Sequence, residues 1–203
     1  MFFLQPFEPK IPPKCASLKG KRVVILTSSA GGLRTDYLNI DREIAKKLAE
    51  ILRTNIKKID VVDPAQVVAW VEGKPTWTDP AEAARAFDAD VVIFLELREF
   101  QIQDPSSPGL FGGRSNIGVQ VVELAHPKDD RGKPMNDRPK ESKVIYDNDC
   151  TSAYPVAGHL PIEASLNSAV FKNKFLDIVV KEVSWGFVEH SPGDDIESSR
   201  FSQ

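Results

Sequence analysis

Two short apolar runs constrain this chain more than anything else in it. Residues 22–27 read RVVILT and residues 91–95 read VVIFL, continuous, β-branched and without polar alternation. A strand of that kind is buried on both faces, which calls for a largely parallel arrangement with helices packed on it. The segment between them supplies the helices. Ile40, Ile44, Leu48, Ile51 and Leu52 recur at spacings of four and three, with Lys46, Lys47, Glu50 and Arg53 opposite. That pattern predicts an amphipathic helix of about four turns, with Asn39 or Asp41 able to cap it. Residues 58–62 read as a second short strand. Asp63-Pro64 and Asp79-Pro80 each set a capping residue before a first-turn proline, opening two short helices.

Beyond Glu96 the pattern alternates and slips by one residue at Arg98-Glu99, before Phe100 and Ile102. Such a slip would turn the buried face over, so a β-bulge is expected there. Residues 117–124 and 143–154 read as two further strands. The loop 126–140 between them carries three prolines and eight charged residues. Residues 163–185 form a helix whose polar arc is only Asn173, Lys174, Asp177 and Lys181. Its wide apolar arc places it deep in the fold or at a subunit interface. The order is β-α-β-α-α-β-β-β-α. It predicts an α/β fold with α+β character: a mixed sheet of about five strands, parallel first and then an antiparallel meander, with helices packed on it.

Length and composition fit one domain of 203 residues, 41% hydrophobic, with a formal net charge of −3. The expected division is a proline-rich apolar strap (1–20), one α/β domain (21–188) and a polar, disordered tail (189–203). The small acidic surplus argues against nucleic acid as a partner. No apolar run is long enough to make a transmembrane helix. The first residues, MFFLQPFEPKIPPK, lack the basic start and apolar run of a complete signal peptide. Their apolar side chains either pack on the domain or lie near a membrane or partner. Two cysteines, Cys15 and Cys150, leave a single bridge undecided.

No catalytic signature, metal-ligand spacing or cofactor motif stands out. The best location for a ligand or partner is the loop after the first strand, with Ser28, Ser29, Gly31 and Gly32, because strand ends are where α/β ligand sites lie. The text TSSAGGLRTD there matches neither dinucleotide nor P-loop fingerprints. A second candidate is Leu110-Phe111 in SSPGLFGG, which either projects into a partner or folds back onto the domain. If it projects, changing both residues to Ser leaves folding intact. Cys150 reads as a buried, inert thiol rather than a nucleophile. Asp147 and Asp149 read as one solvated strand face. His126, His159 and His190 fit no metal pattern. Trp70 and Trp77 read as packing residues closing over the short helices.

The succession of strand RVVILT, helix DREIAKKLAEIL, the stretch AFDADVV opening VVIFLEL, a Val119–Val122 strand and a closing helix resembles the amino-terminal domain of TolB and CsgG-like domains of bacterial envelope lipoproteins. Ala89, Asp90, Val91 and Val92 match the stretch that commonly precedes the third strand there. The charged loop 126–140, the lack of a Trp in the strand after it, and Cys15 preceded by Pro12, Pro13 and Lys14 depart from that pattern. The resemblance implies a non-enzymatic accessory or assembly factor of the periplasm or outer membrane. It would bind other envelope proteins or itself, with membrane contact through a lipid anchor outside this chain or through the strap. A cytoplasmic domain binding a small molecule or nucleotide at the Gly31-Gly32 loop is the alternative, and a thiol enzyme at Cys150 a third reading.

Overall fold

In β1 (Arg22–Ser29) successive side chains enter different cores: Val23 and Ile25 face one helical layer, Val24 and Leu26 the other. The computed structural model describes residues 9–15, 18–29, 37, 39–103, 110–129, 131–155, 160–161 and 167–192. After β1 come α1 (Ile40–Asn55), β2 (Asp60–Val61), α2 (Pro64–Gly73), α3 (Ala81–Ala86) and β3 (Val91–Gln103). Then follow β4 (Leu110–Ala125), β5 (Glu141–Tyr154), β6 (Leu160–Pro161) and α4 (Ser168–Ser184). The mixed α/β sheet runs β2-β1-β3-β4-β5. Its β2, β1 and β3 are parallel; β4 and β5 return antiparallel. The two-residue β6 pairs with β4 beside Leu110 and Phe111, an addition too short to leave a periodic trace in the sequence.

Helices α1 and α4 cover one face and α2 and α3 the other, but the second pair reaches no farther than β1, β3 and the Val122–Leu124 end of β4. Beyond that end the second face stays open and carries Arg98 of β3, Gln120 of β4 and Asp147 and Asp149 of β5. The expected slip is present: the β3–β4 register shifts between Leu97 and Glu99. It returns Phe100 and Ile102 to the core that already holds Leu95 and Leu97. A second shift, at Val121/Val122, leaves Ile145 as the extra residue of β5.

The capping signals work as local chemistry demands. Asp63 accepts from the Ala65 amide at 3.0 Å with Pro64 in the first turn. Asp79 accepts from Ala81 at 2.9 Å while Glu82 reaches back to the amides of Thr78 and Asp79 at 3.2 and 3.3 Å, a capping box. Asn39 stands at the α1 N-cap but its side chain makes no capping bond; its carbonyl accepts from Glu43 at 3.0 Å. Asn167 caps α4 through Val170 at 2.9 Å. The wide apolar arc of α4 is explained by depth: Phe171, Phe175, Leu176, Ile178, Val179, Val180 and Val183 are all buried. The helix meets α1 through Lys47–Asp177 at 2.7 Å and Lys172–Glu43 at 3.2 Å.

Candidate functional site

The first part of the described chain crosses to the last. Ile11 and His190 exchange backbone hydrogen bonds of 2.8 and 3.2 Å, and the Cys15 amide donates to the Gly186 carbonyl at 2.8 Å. The strap is thereby fixed beyond the outer edge of β5. Pro12 and Pro13 bring no N–H groups, so this stretch of strap cannot serve as a full ladder partner. Among the described residues no strand pairs with the outer edge of β5.

Between that edge, the strap and the end of α4 lies an open groove of about 380 Å³. Tyr146, Asn148 and Cys150 of β5 line it with Lys14, Glu182 and Trp185. Tyr146 and Cys150 pack against the core below. Trp185 stacks on His190 with ring centroids 4.8 Å apart and planes 16° from parallel. The buried Ser152 hydroxyl donates to Glu182 across the floor. Burial, with the Glu182 carboxylate nearby, pushes the Cys150 thiol up to about 11. Burial likewise raises the Tyr146 hydroxyl above its usual value. A thiol so disfavoured as thiolate is a poor nucleophile at neutral pH, which agrees with reading Cys150 as a packing residue.

The open sheet face borders the same edge. Arg98 donates to Glu96 and to Asp149, each at 2.7 Å, and those two carboxylates hold its guanidinium above its ordinary value. Gln120 donates to Asp147 at 3.3 Å. Asp147, Asp149 and Thr151 share this exposed face, as their alternation predicts.

The sequence-derived candidates fall elsewhere. Ser28 and Ser29 end β1, beside β3 residues Glu96 and Leu97. Gly31 and Gly32 lie outside the described residues, as do residues 1–8, His159 and residues 193–203. Near the end of β1 the cavity lined by Thr27, Asp41 and Arg42 holds about 60 Å³, below the ~300–1,000 Å³ typical of small-molecule pockets. Phe111 is 1% exposed and stacked on Phe171 at 4.8 Å and 13°. Of the two alternatives for the Leu110-Phe111 pair, folding back is the one realised, because α4 offers Phe111 an aromatic partner. Leu110 is half-buried. Trp70 and Trp77 meet Phe87 and Phe94 edge-on at 6.3 and 5.8 Å, as packing residues. Sequence reasoning missed the groove. Its one local signal was Pro12-Pro13, a strap unable to finish a sheet.

No protein-family profile and no curated protein matches this chain. Solved structures do resemble it. Lipoprotein GNA1162 from Neisseria meningitidis is 12% identical, with a TM-score of 0.44 over 80% of this chain and 97% of that one. The hypothetical protein CT253 from Chlamydia trachomatis is 15% identical, TM-score 0.48, over 83% and 97%. The PelC dodecamer from Paraburkholderia phytofirmans is 11% identical, TM-score 0.46, over 88% and 94%. The resembling structures include bacterial lipoproteins and do not single out TolB or CsgG.

Proposed function

We propose that this chain is a non-enzymatic, envelope-associated protein-interaction domain that acts through the groove beside β5. The carrying observation is the juxtaposition of the β5 edge, with which no strand pairs among the described residues, and a groove of about 380 Å³. Backbone groups along such an edge give a protein segment main-chain hydrogen bonds, and the groove beside it receives side chains. The chemistry of the lining favours holding over reacting, since its thiol is kept protonated well above neutral pH. The envelope assignment, in the periplasm or at the outer membrane as an accessory or assembly factor, rests on the resemblance of the sequence pattern to TolB-type and CsgG-like domains.

The test is site-directed photo-crosslinking in source cells, followed by fractionation. A benzophenone side chain replaces exposed Lys14 at the groove, or exposed Lys57 after α1 as the control. The expected result is one defined protein adduct at Lys14, recovered with membranes or periplasm, and none at Lys57. Equal adducts at both positions, or recovery in the cytosol, overturn the reading.

A further inference from the structure

The edge of β5 also specifies what kind of segment fits it. Over residues 146–151 the side chains alternate between two environments. Tyr146, Asn148 and Cys150 turn toward the groove, whose far wall includes Val183 and Trp185. Asp147 and Asp149 meet Gln120 and Arg98 on the open face, and Asp149 and Thr151 also border the groove. On the open face Arg98 donates to Glu96 and to Asp149, while Asp147 accepts from Gln120. Arg114 stands opposite Ala153, four residues along β5 from Asp149. A strand laid along this edge would continue the alternation, one side chain over the carboxylates and the next into the groove.

We infer that the groove binds an extended segment of another protein in which basic and apolar residues alternate, added to β5 as a further strand over residues 146–151. This rests on the function proposed above. The basic side chains meet Asp147 and Asp149; the apolar ones enter the groove between Tyr146 and Trp185. A second copy of this chain is a poor occupant. Antiparallel pairing of two β5 edges centred on Asn148 sets Asp147 opposite the other copy's Asp149, and like charges directly opposite one another destabilise a sheet. The bulge at Ile145 and the carboxylates discourage indiscriminate pairing, while a charge-matched strand gains from the same groups.

The experiment titrates the whole chain with a fluorescent peptide, Lys-Val-Lys-Val-Lys-Val, and with its Glu-Val-Glu-Val-Glu-Val counterpart. The expected result is saturable binding of the basic peptide only, weakened by salt, with slowed amide exchange in residues 146–151. Asp147 is exposed, so Asp147→Lys should fold normally and weaken the basic peptide by roughly three- to tenfold, as loss and reversal of a cross-strand charge pair predicts. Asp147→Asn should give a smaller loss in the same direction. Binding of neither peptide, equal binding of both, or indifference to Asp147→Lys overturns the inference. So does concentration-dependent self-association that protects residues 146–151 without peptide. If any of these occurs while Lys14 still captures one envelope protein, the strand chemistry is wrong and the proposed function stands. Loss of that capture as well removes both.

Discussion

The ring of Phe175 lies against the backbone of Gly113, so closely that a Cβ built on the glycine would come within 2.6 Å of it. This contact is where α4 seats on β4, and the ring cannot retreat because Phe175 is fully buried. Gly113→Ala should therefore destabilise the protein by about 1–3 kcal/mol, the usual cost of overpacking. Gly118 offers the contrast. Its Cβ would meet Arg98 Nη2, also at 2.6 Å, but that is the far end of a flexible, half-exposed side chain. Gly118→Ala should cost less, and urea midpoints of the two variants measure the difference. A larger loss at Gly118 would contradict the packing described for α4.

Phe111 belongs to an aromatic cluster with Phe171 and Tyr154. Phe171 is stacked on it and also meets Tyr154 at 5.7 Å, so removing Phe111 opens a cavity in an aromatic cluster. Phe111→Ala should cost about 3–5 kcal/mol. Leu110→Ser, at a half-buried position, should cost much less. Thermal denaturation of the two single variants separates them; a Phe111→Ala protein as stable as the parent would restore the exposed-tip reading.

Cys150 makes the protein sensitive to alkali. Its thiol titrates at about 11 when folded, against an ordinary 9. Between those values the unfolded chain has lost the proton and the folded one has kept it. Stability contributed by this group is thus fully present below pH 9 and is lost as pH rises through about 11. The loss should reach about 2 kcal/mol, and it should be absent in Cys150→Ser. Iodoacetamide labelling should be slow at pH 8 and accelerate over the same window. Rapid labelling at neutral pH would reopen the thiol-enzyme reading.

Glu82 predicts the opposite sign at the acid end. Hydrogen bonds from Lys74 and from the Thr78 and Asp79 amides hold its carboxyl down at about 2. Its contribution is present above the ordinary value near 4.5 and disappears as pH falls through about 2. The melting-temperature gap between the parent and Glu82→Gln should be constant above pH 5 and close as pH falls toward 2. A gap that does not narrow would mean that the capping box is not what Glu82 contributes.

What could be read in advance was what neighbours in sequence decide. RVVILT and VVIFL announce strands buried twice over, Asp63-Pro64 announces a helix start, and the slip at Arg98-Glu99 announces a bulge. Each depends on a few adjacent side chains and the strand or helix period. The helix α4 was visible, but not whether its apolar arc faced the sheet or another subunit, since both require the same pattern. The groove was invisible because it is built by Ile11 meeting His190 across nearly the whole chain. The choice between a projecting and a folded-back Phe111 stayed open for the same reason: flanking glycines suggested a loop, while the partner that buries it, Phe171, belongs to the last helix.

The Ile11–His190 pairing also decides how the molecule carries load. A pull applied at Ile11 is borne by its two backbone hydrogen bonds to His190 and then by the one from Cys15 to Gly186. These bonds form a small separable clasp outside the ladder of β1 to β5. Tension would peel the strap away from the α4 end while the sheet kept its registers, widening the groove as it went. A tethered form of this chain would then present β5 differently when slack and when stretched.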